Sequence, residues 1–198
     1  MSLVQPVTTL SPDRVTGQDG DVEFTFVSGN PALDLTGTVL RRHSDPADLL
    51  VTPADLARWI ARCGEVLPRV DVDPEAFDDA RALREAVYRL AQDRRHDRPF
   101  DRRSLDVLHA AGDGPTPSIT LDDEGLHRTG DVRAVLSFLA RRGMVMLADG
   151  SSRIKECGRE GCSRLYLDRS RGARRTWCGM AACGNRVNAA AYRARRRA

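Results

Sequence analysis

Four of the five cysteines fall in two equally spaced pairs, Cys157-x4-Cys162 and Cys178-x4-Cys183, with 15 residues between the pairs. Two local pairs of thiolates, closed across an intervening loop, are what a tetrahedral structural zinc site requires. The alternative chemistry is a pair of disulfides. The first twenty residues, MSLVQPVTTLSPDRVTGQDG, have neither a basic start nor an apolar stretch, so nothing in them marks a secreted chain. The fifth cysteine, Cys63, stands far off in a helical pattern, and an odd count argues against a disulfide framework. The expectation is one structural Zn2+ held by Cys157, Cys162, Cys178 and Cys183. No histidine lies near enough in sequence to suggest a Cys–His catalytic pair.

The cations are placed as unevenly as the cysteines. Residues 1–150 hold 18 arginines against 25 acids, whereas residues 151–198 hold 13 cations against 3 acids. An acidic body with a basic tail suggests a polyanionic partner. Lys155 is the sole lysine, so part of the arginine content reflects codon composition; the segregation of charge is harder to explain that way. At 100° per residue Arg186, Arg193 and Arg197 share one stripe of a helix beginning near Cys183, with Val187, Ala191, Ala194 and Ala198 on an adjacent apolar face. Arg174, Arg175, Asn185, Arg186, Arg193, Arg196 and Arg197 are the candidate nucleic-acid contacts. Asn185 could cap the helix or read a base edge, and capping is favoured. Tyr166 and Trp177 are expected in the core of the small module rather than stacked on bases.

Upstream, Asp34, Arg81 and Arg84 are candidates for a ligand pocket. The alternative, favoured, is salt pairing of Arg81, Arg84 and Glu85 along a helix surface. The sequence shows no phosphate-binding glycine loop, dinucleotide fingerprint, nucleophile elbow or HExxH, and its histidines have no metal spacing, so no enzyme is expected.

These residues need elements to hold them. Val22–Val27 alternates as a short strand, and Ala32–Arg42 reads as a helix weakened by Gly37. Thr52-Pro53 and Asp73-Pro74 start two helices, ending near Gly64 and Arg95. The second has a core face of Phe77, Ala80, Leu83, Val87 and Leu90. Asp101 caps a fourth helix with Leu105, Leu108 and Ala111 inward. Ile119–Leu121 and Leu126–Arg128 form a hairpin, and Asp131 starts a helix through Leu147. Asp149–Ser152 then make a hinge. Beyond it, Arg164–Leu167 and Arg175–Cys178 are expected as two short strands between the cysteine knuckles, the order of a treble clef. No apolar run is long enough to span a membrane.

The spacing Cys157-x4-Cys162, the pair Trp177-Cys178 and the tetrapeptide Cys183-Gly184-Asn185-Arg186 resemble the CGNR zinc finger over about residues 150–197. The turn before Pro31-Ala32-Leu33-Asp34-Leu35 and the run Ala80–Leu90 resemble the ABATE domain that commonly precedes it. That family usually reads Phe-x-Asn-Thr after the aspartate, where this chain has Leu35-Thr36-Gly37-Thr38, so any role of the asparagine is absent or altered here. The resemblance implies a bacterial, stress-linked transcription regulator whose finger binds nucleic acid.

The expected fold is α+β and mostly α. A disordered N-terminus (1–21) leads into a helical domain with a small hairpin (22–149), then a treble-clef-like four-cysteine finger with a basic C-terminal helix (150–198). The expected function is a zinc-dependent, DNA-binding transcription regulator in the cytoplasm, its N-terminal domain serving ligand sensing or dimerisation. DNA is the expected partner, with a homodimer and a small-molecule effector compatible with the pattern and no membrane involved. The alternative is a zinc module for RNA or protein contact without direct DNA binding.

Overall fold

The computed structural model describes residues 24–150 and 153–196. The disorder expected for residues 1–21, and Ser151 and Ser152 of the expected hinge, lie outside that description. The body is built on side-chain caps. α1 (Pro31–Thr36) starts at Asn30, whose side chain accepts from Ala32 N. α2 (Pro53–Cys63) starts in a capping box, with Thr52 and Asp55 bonded to each other's backbone. α3 (Pro74–Arg95), α4 (Arg102–Gly112) and α5 (Val132–Ala148) each begin at an aspartate: Asp73, Asp101 and Asp131. Such oxygens satisfy amide groups that a helix start leaves open. Gly64 closes α2 in the left-handed region, φ 69°, where a side chain would be strained.

α3 is the central element, packed by α4, α5 and α1. Its expected core residues Phe77, Ala80, Leu83, Val87 and Leu90 are all buried, as are Val135, Leu136, Leu139 and Met146 of α5. The helical period read from the sequence is the period of burial. Leu108 is buried on α4, with Leu105 and Ala111 half-buried beside the same core. The hairpin forms from β3 (Ser118–Asp122) and β4 (Gly125–Thr129), turning at Gly125 with φ 122°.

Three expectations are corrected. The helix expected over Ala32–Arg42 stops at Thr36. Thr36 Oγ1 and Thr38 Oγ1 donate to Leu33 O (2.8 Å) and Leu35 O (2.7 Å), offering the carbonyls local partners that compete with a continuing helix. The chain then enters β1 (Val39–Leu40), antiparallel to β2 (Ala47–Asp48). The described part of the strand expected over Val22–Val27, Phe24–Val27, joins no sheet among the described residues. In the C-terminal module, β6 (Leu165–Leu167) pairs with β5 (Ile154–Glu156), not with Arg175–Cys178. Arg175 O is taken by Tyr166 OH (2.7 Å) and Lys155 Nζ (3.2 Å), so side chains satisfy a carbonyl that a strand would need.

The module is not set apart from the body. Ile154, Leu165 and Leu167 belong to the same hydrophobic cluster as the helices. Leu167 N donates to Ser28 O at 2.7 Å, a backbone bond from the finger to the body.

Candidate metal centre and nucleic-acid interface

The two knuckles bring their cysteines together by different local means. Gly161 turns the first with φ 70°, letting Cys162 N donate back to Arg159 O at 3.0 Å. The second runs through a π-helical turn, Met180–Gly184, directly into α6 (Asn185–Arg195). Gly184 is closely packed there: a Cβ would lie 3.3 Å from Trp177 Cδ1, and 2.6 Å from Met180 Sδ, which is exposed and can swing aside. Tyr166 is fully buried in this cluster and Trp177 packs partly buried against it, as expected.

The four sulfurs of Cys157, Cys162, Cys178 and Cys183 all lie within 4.8 Å of one another, and all four residues are buried. Cys178 Sγ and Cys183 Sγ are 3.4 Å apart, and Cys183 Sγ and Cys162 Sγ 3.7 Å. Tetrahedral thiolates about 2.3 Å from zinc stand roughly 3.8 Å from each other. A disulfide needs about 2.05 Å, so these are four separate thiols and the disulfide alternative falls. Their electrostatics fit a dication. A hydrogen bond from Cys178 holds the Cys162 thiol down at about 4, while that pairing, then burial, push Cys178 far up. Burial also raises Cys157. Four crowded thiols cannot ionise together without a compensating charge. One structural Zn2+ supplies it and ties the two knuckles into a single fold. Two donors orient the sulfurs from outside: Arg159 Nε to Cys183 Sγ at 3.1 Å, and Cys178 N to Cys157 Sγ at 3.4 Å.

The arginines divide by what they touch. Arg42, Arg84, Arg89, Arg98 and Arg133 of the body all pair with carboxylates. Arg174, Arg186, Arg193 and Arg195 of the finger are exposed, and none pairs with a carboxylate among the described residues. Arg196 lies 5.7 Å over the ring of the exposed Tyr192. Arg175 is turned inward: Nε donates to Trp177 O (2.8 Å), a terminal nitrogen to Val27 O (2.9 Å) and to Cys178 O, and the guanidinium lies 4.4 Å over Tyr166. It braces the finger and has little left for a ligand. Arg197 and Ala198 lie outside the described residues, as do the side chains of Ala191 and Ala194; Val187 is half-buried.

Asn185 is not a cap. It is already helical (φ −63°, ψ −36°) because the π-helical turn precedes it, and its exposed side chain bonds to nothing among the described residues.

Asp34, Arg81 and Arg84 are not assembled around one space. Asp34 Oδ1 accepts from Val27 N and Ser28 N, both at 3.0 Å; burial raises its carboxyl against the pull of these bonds. The segment it fixes, Val27–Ser28, is the one that meets Leu167 and Arg175, so Asp34 positions the seam between body and finger. Arg84 is buried and forks onto Asp48 at 2.6 and 2.7 Å, with Arg81 3.9 Å from the same carboxylate. Burial disfavours the Arg84 charge, but the hydrogen bonds and charge of Asp48 outweigh it and raise its pKa. The favoured surface pairing is thus half right: Arg84 does touch Glu85, yet its main partner is buried and remote in sequence.

Sequence reasoning missed the contacts that hold the seam. Glu156, next to Cys157, accepts from Arg95 (3.0 Å) and lies 2.5 Å from His43. Ser163, next to Cys162, accepts from Arg42 N at 3.0 Å. No pattern marks such pairs, since each joins residues far apart in the chain.

Among known families, the ABATE model, described as "Putative stress-induced transcription regulator", matches residues 29–150, and the CGNR zinc finger model matches residues 153–196. No curated protein matches the chain. Among the described residues no helix is long and apolar enough to cross a membrane.

Proposed function

We propose that this chain, which belongs to the ABATE family and ends in a CGNR zinc finger, is a regulator that docks on duplex DNA through α6. Neither matched family is enzymatic by its description. The observation that supports DNA contact most is the contrast among the arginines. Arg42, Arg84, Arg89, Arg98 and Arg133 of the body pair with acids, while Arg174 beside the finger's cysteines and Arg186 and Arg193 of α6 face solvent without one among the described residues. Free guanidinium groups on one helix, fixed in direction by the Cys183 ligand at its base, suit phosphate oxygens. Arg196 and the exposed Asn185 border the same face, and Arg197 extends it in sequence. Arg175 is left out of the contact set because its donors are engaged inside the finger. One small module gives limited specificity, so the working unit is a homodimer on paired half-sites.

The test is fluorescence anisotropy of a mixed-sequence duplex against the zinc-loaded full chain over a salt series. Arg186→Ala with Arg193→Ala should weaken binding and flatten the log–log salt slope by about one to two units. An unchanged slope places the contact elsewhere. Absence of binding at low salt leaves the finger as an RNA or protein contact module.

A further inference from the structure

The seam between body and finger holds a cleft of about 350 Å³. The body contributes Leu40 and Arg41, the first knuckle Arg159, Glu160 and Arg164, and α6 contributes Arg186. Four arginines thus line the space with one carboxylate, Glu160, while Asp45, outside the lining, pairs with Arg41 and Arg159 Nε is held by Cys183 Sγ. Concentrating like charge around a concave wall is unfavourable unless an anion enters it.

One further feature points to a ligand. Arg164 lines the finger's wall and is tied to the body by a terminal nitrogen that reaches Thr25 Oγ1 (3.3 Å). Arg41 is held with φ 50°, a left-handed backbone that an arginine adopts only under constraint, while Asp45 tethers one edge of its side chain. The body therefore presents one preset cation across the cleft from the finger's three.

We propose that this cleft binds a small molecule bearing a phosphate or diphosphate group, clamped between the body and the finger. The concave shape and size suit a compact terminal phosphate, and forked guanidinium groups match its oxygens. A duplex presents its phosphates on a convex surface, which suits the exposed arginines further along α6 rather than the concave cleft. Because Arg41 comes from the body and Arg159, Arg164 and Arg186 from the finger, the bound anion cross-links the two and fixes the direction of α6. The proposal does not rest on DNA binding.

The probe is inorganic pyrophosphate, titrated calorimetrically into the zinc-loaded full chain at constant ionic strength set with chloride. The parent should bind saturably at one site per chain. Arg41→Gln should weaken binding about tenfold or more, the usual loss for one charge-assisted hydrogen bond. Glu160→Gln, which removes the exposed carboxylate of the lining, should tighten it. Arg193→Gln, two turns along α6 from the Arg186 that lines the cleft, should leave pyrophosphate binding intact while weakening duplex binding, so the two readings fail separately. No saturable heat, equal affinity in Arg41→Gln, or a loss in Arg193→Gln matching that in Arg41→Gln overturns the proposal.

Discussion

Asp168 is the one carboxylate between Gly161 and the C-terminus, a stretch crowded with arginines. Its survival there is explained by what it holds. Asp168 Oδ2 takes Lys155 Nζ at 2.8 Å and Arg175 N at 3.1 Å, while Oδ1 takes Ser170 N and Oγ. Burial works against its charge, but Lys155 and Ser170 outweigh that and hold the carboxyl far below the usual range. A depressed carboxyl contributes stability above its unfolded pKa of about 4 and loses it as pH falls towards the folded value. Asp168→Asn should therefore destabilise the finger at neutral pH, with the deficit relative to the parent shrinking below about pH 4. Thermal melts across pH check this, and a deficit independent of pH would sink it. The sole lysine and the sole acid of this stretch are partners, a pairing that the charge pattern hints at and the fold completes.

At the scale of elements, α3 shows how a regular helix can hide a polar function. Its apolar period is read from sequence alone, yet Arg84 beside Leu83 is as buried as the core. What buries it is the early end of α1, which sends the chain through β1 and β2 and delivers Asp48 to its guanidinium. Removing one partner of a buried pair leaves an uncompensated charge and costs about 3–5 kcal/mol. Arg84→Leu should keep Asp48 buried and lose stability on that scale, whereas Arg81→Ala, at a half-exposed contact, should lose at most about 1 kcal/mol. Urea unfolding measures both. Equal losses in the two variants would show that Asp48 is satisfied by something other than Arg84.

For the molecule as a whole, the two family modules meet in one hydrophobic core rather than across a linker. From sequence, Cys178→Ser should unfold the tail and spare the body. The structure changes that expectation, because Ile154, Leu165 and Leu167 fill the body's own cluster and the segment held by Asp34 bonds to the finger. Loss of zinc should then weaken both halves together. The two tryptophans report separately, Trp59 from the buried body and Trp177 from the finger. In Cys178→Ser, bound zinc should fall and the Trp59 melting temperature should drop by at least about 2–4 °C, roughly 1 kcal/mol for a chain of this size. A Trp59 melt identical to the parent's would restore a hinged, independent finger.

The sequence by itself determined the zinc ligands, the caps that start α2, α3, α4 and α5, and the apolar face of α3. Each is a local property, set by spacing along a few turns or by side chains next to the backbone they satisfy. The tertiary structure alone decided which cations remain free. Arg175, Arg186 and Arg193 are alike as letters, but only contacts with Tyr166 and Val27 turn the first inward. It also decided that Ile154–Glu156 is the partner of β6, that Arg84 belongs to Asp48, and that four arginines converge on one cleft at the seam. These depend on chain segments distant in sequence, whose meeting is fixed by packing and leaves no periodic trace in the sequence.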